Sequence, residues 1–131
     1  MKTPQQINPF NLKVFVEDTD FQGFVYHANY LKFFERARSQ FLNDIGILQS
    51  TDSKGFFVVK DVYLKYIKPA KLEDELLIKS EVVKISKARC VFVQDLIRED
   101  TVLAKAKVEI CYIDSRQGKP VGFPQPFLNR I

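Results

Sequence analysis

Hydrophobic positions along the chain change their period at about Ala28. From there Tyr30, Phe33, Phe34, Ala37, Phe41 and Ile45 fall at i, i+3, i+4, i+7 spacing, the pattern of one apolar helix face. Glu35, Arg36, Arg38 and Gln40 take most of the other side, and Gly46 supplies a C-terminal stop. At ~1.5 Å per residue this helix is roughly 25 Å long, enough to lie across a whole sheet. After residue 55 the pattern is that of long strands. Phe56 to Ile67 is rich in Phe, Val and Tyr and ends before Pro69. Leu76 to Ile85, Cys90 to Ile97 and Val102 to Ile113 follow. In the last of these, Val102, Ala104, Ala106, Val108, Ile110 and Tyr112 alternate with Leu103, Lys105, Lys107, Glu109, Cys111 and Ile113, as in a half-buried antiparallel strand. Upstream, a short polar leader precedes a strand over Leu12 to Val16. The tail, with Pro120, Pro124 and Pro126, predicts an irregular wrap with little strand potential.

A tight turn at Asp100–Thr101 predicts a register for the last two strands. It pairs Glu99 with Val102, hence Val93 with Val108, Val91 with Ile110 and Cys90 with Cys111. The apolar faces match in that register, and the two thiols come close on the more polar face. The element order is strand, one long helix, then four long strands. It predicts an α+β fold, a curved antiparallel sheet of about five strands wrapped around a long central helix. One helix covers one face of such a sheet, so self-association is expected.

Composition narrows the class without naming an activity. A chain of 131 residues is the size of one domain, residues 1–131. At 46% hydrophobic and 27% charged residues it is composed like a soluble globular protein. No apolar run approaches the ~20 residues of a membrane span. Residues 1–10 hold one lysine and no apolar core segment, so they do not form a secretory signal, and a cytoplasmic location is expected. Two cysteines make no disulfide framework and are expected to stay reduced; one histidine gives no metal-ligand spacing. The net charge of +4 suits an anionic partner such as nucleic acid or a phosphorylated carrier, and is also ordinary in proteins with neither.

Candidate chemistry concentrates between Val14 and Leu42, where an apolar strand, an acidic turn and the helix opening follow one another. Asp18 and Asp20 stand just before the helix begins. Gly23 allows backbone angles other residues resist, and the apolar run after it brings residues around His27 to the helix start. Free N–H groups there can bind an anion or a polarised carbonyl oxygen. A carboxylate nearby can attack the carbonyl carbon or activate a water to do so. An Asp at this place is equally an ordinary turn or capping residue. His27 alone also suits a structural hydrogen bond, Glu35 a solvated helix position, and Asp18-Thr19-Asp20 a metal-binding pair that lacks an evident third ligand.

The segment Glu17 to Arg38, EDTDFQGFVYHANYLKFFERAR, closely resembles the signature of hotdog-fold acyl-CoA thioesterases. It is most similar to the 4-hydroxybenzoyl-CoA thioesterase family and its bacterial relatives associated with the Tol–Pal envelope system. The matching positions are Asp18, Asp20, Gly23, Phe24, Val25, Tyr26, His27, Asn29 and Tyr30, and a looser likeness continues from Phe56 to Leu76. The resemblance implies Asp20 as the catalytic carboxylate, as nucleophile or as general base. It implies the backbone N–H of His27 as the donor that polarises the thioester carbonyl, and Gly23 as the residue that lets the loop pass close to substrate. It further implies hydrolysis of acyl-CoA or acyl-carrier-protein thioesters without cofactor or metal, in homodimers or homotetramers with sites between subunits. Tyr26 belongs to the aromatic run beside the site. Phe21 and Gln22 depart from the smaller pair common after the catalytic Asp, which bears on the pocket entrance. CoA phosphates favour basic residues at a pocket rim, for which Lys60, Lys87 and Arg89 are candidates.

Two other readings stand beside this one. Lys54-Gly55-Phe56-Phe57-Val58 resembles the aromatic strand of RNA-recognition domains, and Val14-Phe15-Val16 its partner strand. That motif lacks its second glycine, and the fold needs a further helix between later strands. A hotdog protein can also bind acyl thioesters without cleaving them, or dehydrate them with a His and a helix carboxylate, here His27 and Glu35.

Overall fold

The computed structural model describes residues 4–131. Its elements are β1 (Gln5–Lys13), a 3-10 turn (Val16–Asp18), α1 (Asn29–Asp44), β2 (Gly55–Tyr66), β3 (Glu75–Ile85), β4 (Arg89–Arg98), β5 (Thr101–Asp114), β6 (Pro120–Val121) and α2 (Gln125–Arg130). The strands form one antiparallel sheet in the order β1-β3-β4-β5-β2, with β6 pairing to β5. The chain therefore starts at one edge, crosses through α1, lays β2 at the opposite edge, and returns to fill the middle. This is the expected helix wrapped by a curved sheet.

α1 buries Tyr30, Phe33, Phe34, Ala37, Phe41 and Leu42 against the sheet. Each large side chain removed from water contributes about 1.5–3 kcal/mol, so this face dominates the helix's attachment. The helix stops as expected at Gly46, whose φ is +86. The N–H of Ile47 reaches Leu42 O at 2.9 Å and that of Gly46 reaches Asn43 O at 3.0 Å, the paired bonds of a Schellman stop. Arg38 does not lie on the solvated side. Its Nη1 donates to Gln94 Oε1 at 2.8 Å. Gln94, fully buried, donates in turn to Phe34 O and Ser80 Oγ. Burial holds the Arg38 pKa below its ordinary value, with Glu35 acting in the opposite sense. Ser80, Gln94 and Ala106 are cross-strand neighbours, so this polar brace pins the middle of α1 to the sheet.

Three strand expectations are corrected. The first strand is Gln5–Lys13 rather than Leu12–Val16; Met1 to Thr3 of the polar leader lie outside the described residues. β1 is an edge strand, which tolerates its polar sequence and Pro9 beside a bulge between Ile7 and Phe10. The β4–β5 turn is centred on Glu99–Asp100, with Arg98 opposite Thr101. Glu99 adopts a left-handed φ of 55, and a bulge between Leu96 and Ile97 shifts the pairing again. Cys90 therefore faces Ile110, and Arg89 faces Cys111. Because neighbours on a strand point to opposite faces, the thiols lie on opposite sides of the sheet, both free. Burial pushes the Cys90 thiol up to about 12. Finally, the tail contains α2, whose Phe127 is fully buried. Phe123, Phe127 and Ile131 recur every fourth residue, a helical spacing that the neighbouring prolines masked. The rings of Phe123 and Phe127 join Phe41, Phe57 and Tyr112 in one aromatic cluster.

Candidate active site

The acidic turn is a closed loop stitched to itself and to the β2–β3 connection. Asp20 N–H donates to Phe24 O at 2.8 Å, and Gly23 N–H to Asp20 O at 3.0 Å. Thr19 bridges Val25 behind them. Gly23 sits at φ +83 with open space where a Cβ would be, so the position needs glycine for its backbone angle rather than for a close contact within the chain. Gly23 O takes Leu72 N–H, and Val25 N–H reaches Ala70 O, each at 2.9 Å. Phe21 stands at the tip, 98% exposed.

Asp18 and Asp20 have different work. Asp18 is buried; its Oδ2 accepts the Phe15 N–H at 2.9 Å, and its carbonyl accepts both Tyr26 N–H and Asn29 Nδ2. It is the internal staple of the loop, a role the sequence pattern gave no means of separating from a metal pair. Asp20 is half-buried. Its Oδ1 accepts Gln22 N–H at 2.9 Å and, more weakly, Phe24 N–H at 3.4 Å, while Oδ2 takes no hydrogen bond from the described residues. One oxygen thus serves the turn, and the other is free of partners among the described residues.

The loop delivers the chain to α1 with its start uncapped. Ala28 is the N-cap, no side chain caps it, and the first turn carries no acidic residue. Asn29, a residue type suited to capping, sends its amide to Asp18 O instead. Asn29 N–H turns back to Tyr26 O, whereas the N–H groups of His27 and Ala28 meet no acceptor among the described residues. Leaving such donors open costs helix stability of about 1 kcal/mol and keeps a partial positive charge available. The rings of Tyr26 and His27 lie 4.5 Å apart. Tyr66, the last residue of β2, donates its hydroxyl to His27 O at 2.7 Å; sequence reasoning did not single it out.

Not every candidate joins this cluster. Arg89 projects from the sheet face opposite α1 and forms a bidentate pair with Glu109 at 2.7 and 2.9 Å. That hydrogen bond raises the Arg89 pKa and holds the Glu109 carboxyl below its usual range. Arg89 lies level with Cys111 and Val58, eight residues along β2 from Tyr66, or ~26 Å. Lys60 sits in the bulge of β2 between Val59 and Asp61. Neither lines the loop of its own chain. His27 and Glu35 are likewise separated by about 12 Å of helix rise, which denies them a shared dehydratase site within one chain. The RNA-recognition pairing also fails: Val14–Val16 lies beyond the end of β1, and β1 and β2 occupy opposite edges of the sheet.

Hollows of different size lie along α1 and beyond its end. A slot of about 240 Å³ begins at Leu31, one turn beyond His27, and runs to Arg38 between the helix and β2, walled by Phe34, Val59, Val62 and Val108. A larger hollow of about 600 Å³ lies at the other end of the helix, among Ile47, Asp52, Tyr112 and Phe123. There the Tyr112 hydroxyl is committed to Asp52 at 2.6 Å, and burial and this partner raise its pKa. Size favours the second hollow. Chemistry favours the slot, whose near end at Leu31 lies one turn of α1 beyond the open helix start.

With this geometry established, comparison with known proteins is informative. The family model of the thioesterase-like superfamily matches residues 14–131. The acyl-CoA thioesterase YbgC of Haemophilus influenzae is 41% identical over 119 residues, covering 88% of each chain. The acyl-CoA thioester hydrolase YbgC of Escherichia coli O6:H1 is 35% identical over 117 residues, covering 87% of each. The crystal structure of a probable thioesterase from Bartonella henselae superposes with a TM-score of 0.84 at 39% identity, over 89% of this chain and 98% of that one. A match through the loop, the helix and every later strand leaves one conclusion: the chain belongs to the thioesterase-like superfamily.

Proposed function

We propose that this chain is a cytoplasmic acyl-CoA thioesterase in which Asp20 carries out the hydrolysis and the open start of α1 holds the thioester carbonyl. The observation that carries the reading is the pairing of one unengaged Asp20 oxygen with an uncapped helix N-terminus on the same stitched loop. The carboxylate attacks the carbonyl carbon, directly or through a water it deprotonates. The developing oxyanion is held by the open backbone N–H groups of His27 and Ala28. On the water route the C–S bond breaks and the thiolate takes the proton that Asp20 removed from the water. On the direct route the thiolate leaves as a mixed anhydride forms with Asp20, and water then cleaves that anhydride to the free acid and the Asp20 carboxylate. One oriented donor of this kind typically lowers the barrier by about 3–4 kcal/mol. A thioester suits so small a machine, because its carbonyl is weakly resonance-stabilised and thiolate departs readily. Tyr26, beside His27 and half-exposed, and Gly23 border the bound thioester.

The working unit in this reading is a homodimer. β2 is a twelve-residue edge strand with Phe56, Val59, Val62, Tyr63 and Tyr66 exposed. A long apolar edge is an aggregation hazard unless another strand pairs with it. Two copies joined at β2 about a two-fold axis extend the sheet and roof the slot beside α1. Arg89 and Lys60 lie remote from the loop of their own chain.

Incubation with acyl-CoA esters of graded length, followed by mass spectrometry, tests the reading. Free acid and CoA are the expected products. Intact thioester across the series, or an enoyl thioester, favours the binding or dehydrating alternative.

A further inference from the structure

The start of α1 is held in place by a group outside the loop. We infer that Tyr66 is a positioning residue for the reaction: its hydroxyl, fixed to His27 O, sets the orientation of the peptide at the helix start that faces the thioester carbonyl. This inference rests on the hydrolytic reading above and goes beyond it, because Tyr66 belongs to a different element from either Asp20 or His27.

A helix normally fixes its first turn through an N-cap side chain, and here Ala28 offers none. A cap would also occupy the donors that a ligand needs. The chain orients the entry peptide from its carbonyl side instead. Tyr66 O–H donates to His27 O at 2.7 Å. In a trans peptide the C=O and the following N–H point in opposite directions, so a donor behind His27 O aims the Ala28 N–H away from β2. It also polarises that N–H, since hydrogen bonds in series strengthen one another.

Tyr66 is itself well held. Its backbone pairs with Ala104 of β5, and the next two N–H groups, of Ile67 and Lys68, both bond Leu103 O. Its ring meets Tyr30 edge-on at 5.0 Å and 89°. Tyr30 is anchored through its own hydroxyl, which accepts the Ala70 N–H at 3.0 Å, and Ala70 O holds Val25 of the acidic loop. One aromatic bracket therefore joins the sheet, the loop and the helix start. Partial burial, with a smaller contribution from Tyr30, raises the Tyr66 pKa above the ordinary phenol value. The hydroxyl stays a donor throughout the neutral range, so its contribution does not vary with pH there.

Tyr66→Phe tests this while keeping the ring and its edge contact. Loss of one orienting hydrogen bond should lower kcat roughly tenfold, with KM within about twofold and an unchanged pH profile. The Ala28 amide proton should shift upfield and exchange faster with solvent, a readout that a purely structural role for Tyr66 would not move. Tyr30→Phe removes the neighbouring buried hydroxyl without touching His27, and should lower Tm while leaving the Ala28 amide shift in place. A Tyr66→Phe enzyme with wild-type kcat, or with an unmoved Ala28 resonance, overturns the inference. A rise in KM alone also overturns it, by making Tyr66 a substrate contact. If wild-type protein hydrolyses no thioester, or hydrolyses it without Asp20, the functional reading has failed instead.

Discussion

Two aspartates that stand two positions apart make different contacts. Asp18 holds the loop through the Phe15 N–H and two bonds to its carbonyl. Asp18→Ala removes the carboxylate bond from a buried site and should destabilise the protein by about 1–2 kcal/mol, seen as a lower Tm with activity falling because the loop loosens. Gly23→Ala should be strained at φ +83, by roughly 1–2 kcal/mol, although nothing obstructs a methyl group there. Asp20 is different, because only its Oδ1 serves the turn. A single turnover in ¹⁸O-water distinguishes its two possible roles. A general base leaves one ¹⁸O in the released acid and none in the protein, whereas a nucleophile whose anhydride is opened by water at the Asp20 carbon transfers its own ¹⁶O and retains the label. The acidic turn, the left-handed Gly23 and the helix onset near His27 were legible in the sequence because turn chemistry and helix onset are local. Tyr66 was illegible because it lies 39 residues from His27, and no local pattern links the end of one strand to the start of a helix.

Elements were read well where a single period ran unbroken. α1 and the four later strands have long periodic stretches, and each appears near its expected bounds. The errors occur where backbone irregularity overrides the period. The extra residue in β5, Leu103, and the left-handed Glu99 moved the hairpin register and placed the cysteines on opposite faces. Oxidation of the folded protein should therefore give no Cys90–Cys111 disulfide, measured by mass under non-reducing conditions. Arg38 was misplaced because its partner, Gln94, is contributed by another element. Cys90 also carries a pH prediction. Its thiol titrates near 9.0 when unfolded and at about 12 when folded. Above pH 9.0 the unfolded chain releases this proton while the folded protein keeps it, so stability falls as pH rises through that window. Tm measured against pH should decline there, and Cys90→Ala should flatten the part of the slope that Tyr112 does not supply.

Across the whole molecule, the unfinished β2 edge and the unroofed slot beside α1 make one argument. The edge residues facing α1 are apolar, and Val62, 40% exposed, stands at the slot wall. Val62→Asp places a charge in the proposed joint between two copies and should yield a monomer in sedimentation, with hydrolysis greatly reduced; an active monomer would contradict the shared site. What matters most is whether one carboxylate does the chemistry. Steady-state CoA release by wild-type and Asp20→Asn protein, matched for Tm and oligomeric state, tests this most directly. The account predicts that kcat falls by about 10²–10⁴-fold with the fold intact. An Asp20→Asn enzyme turning over at a near-normal rate would contradict it.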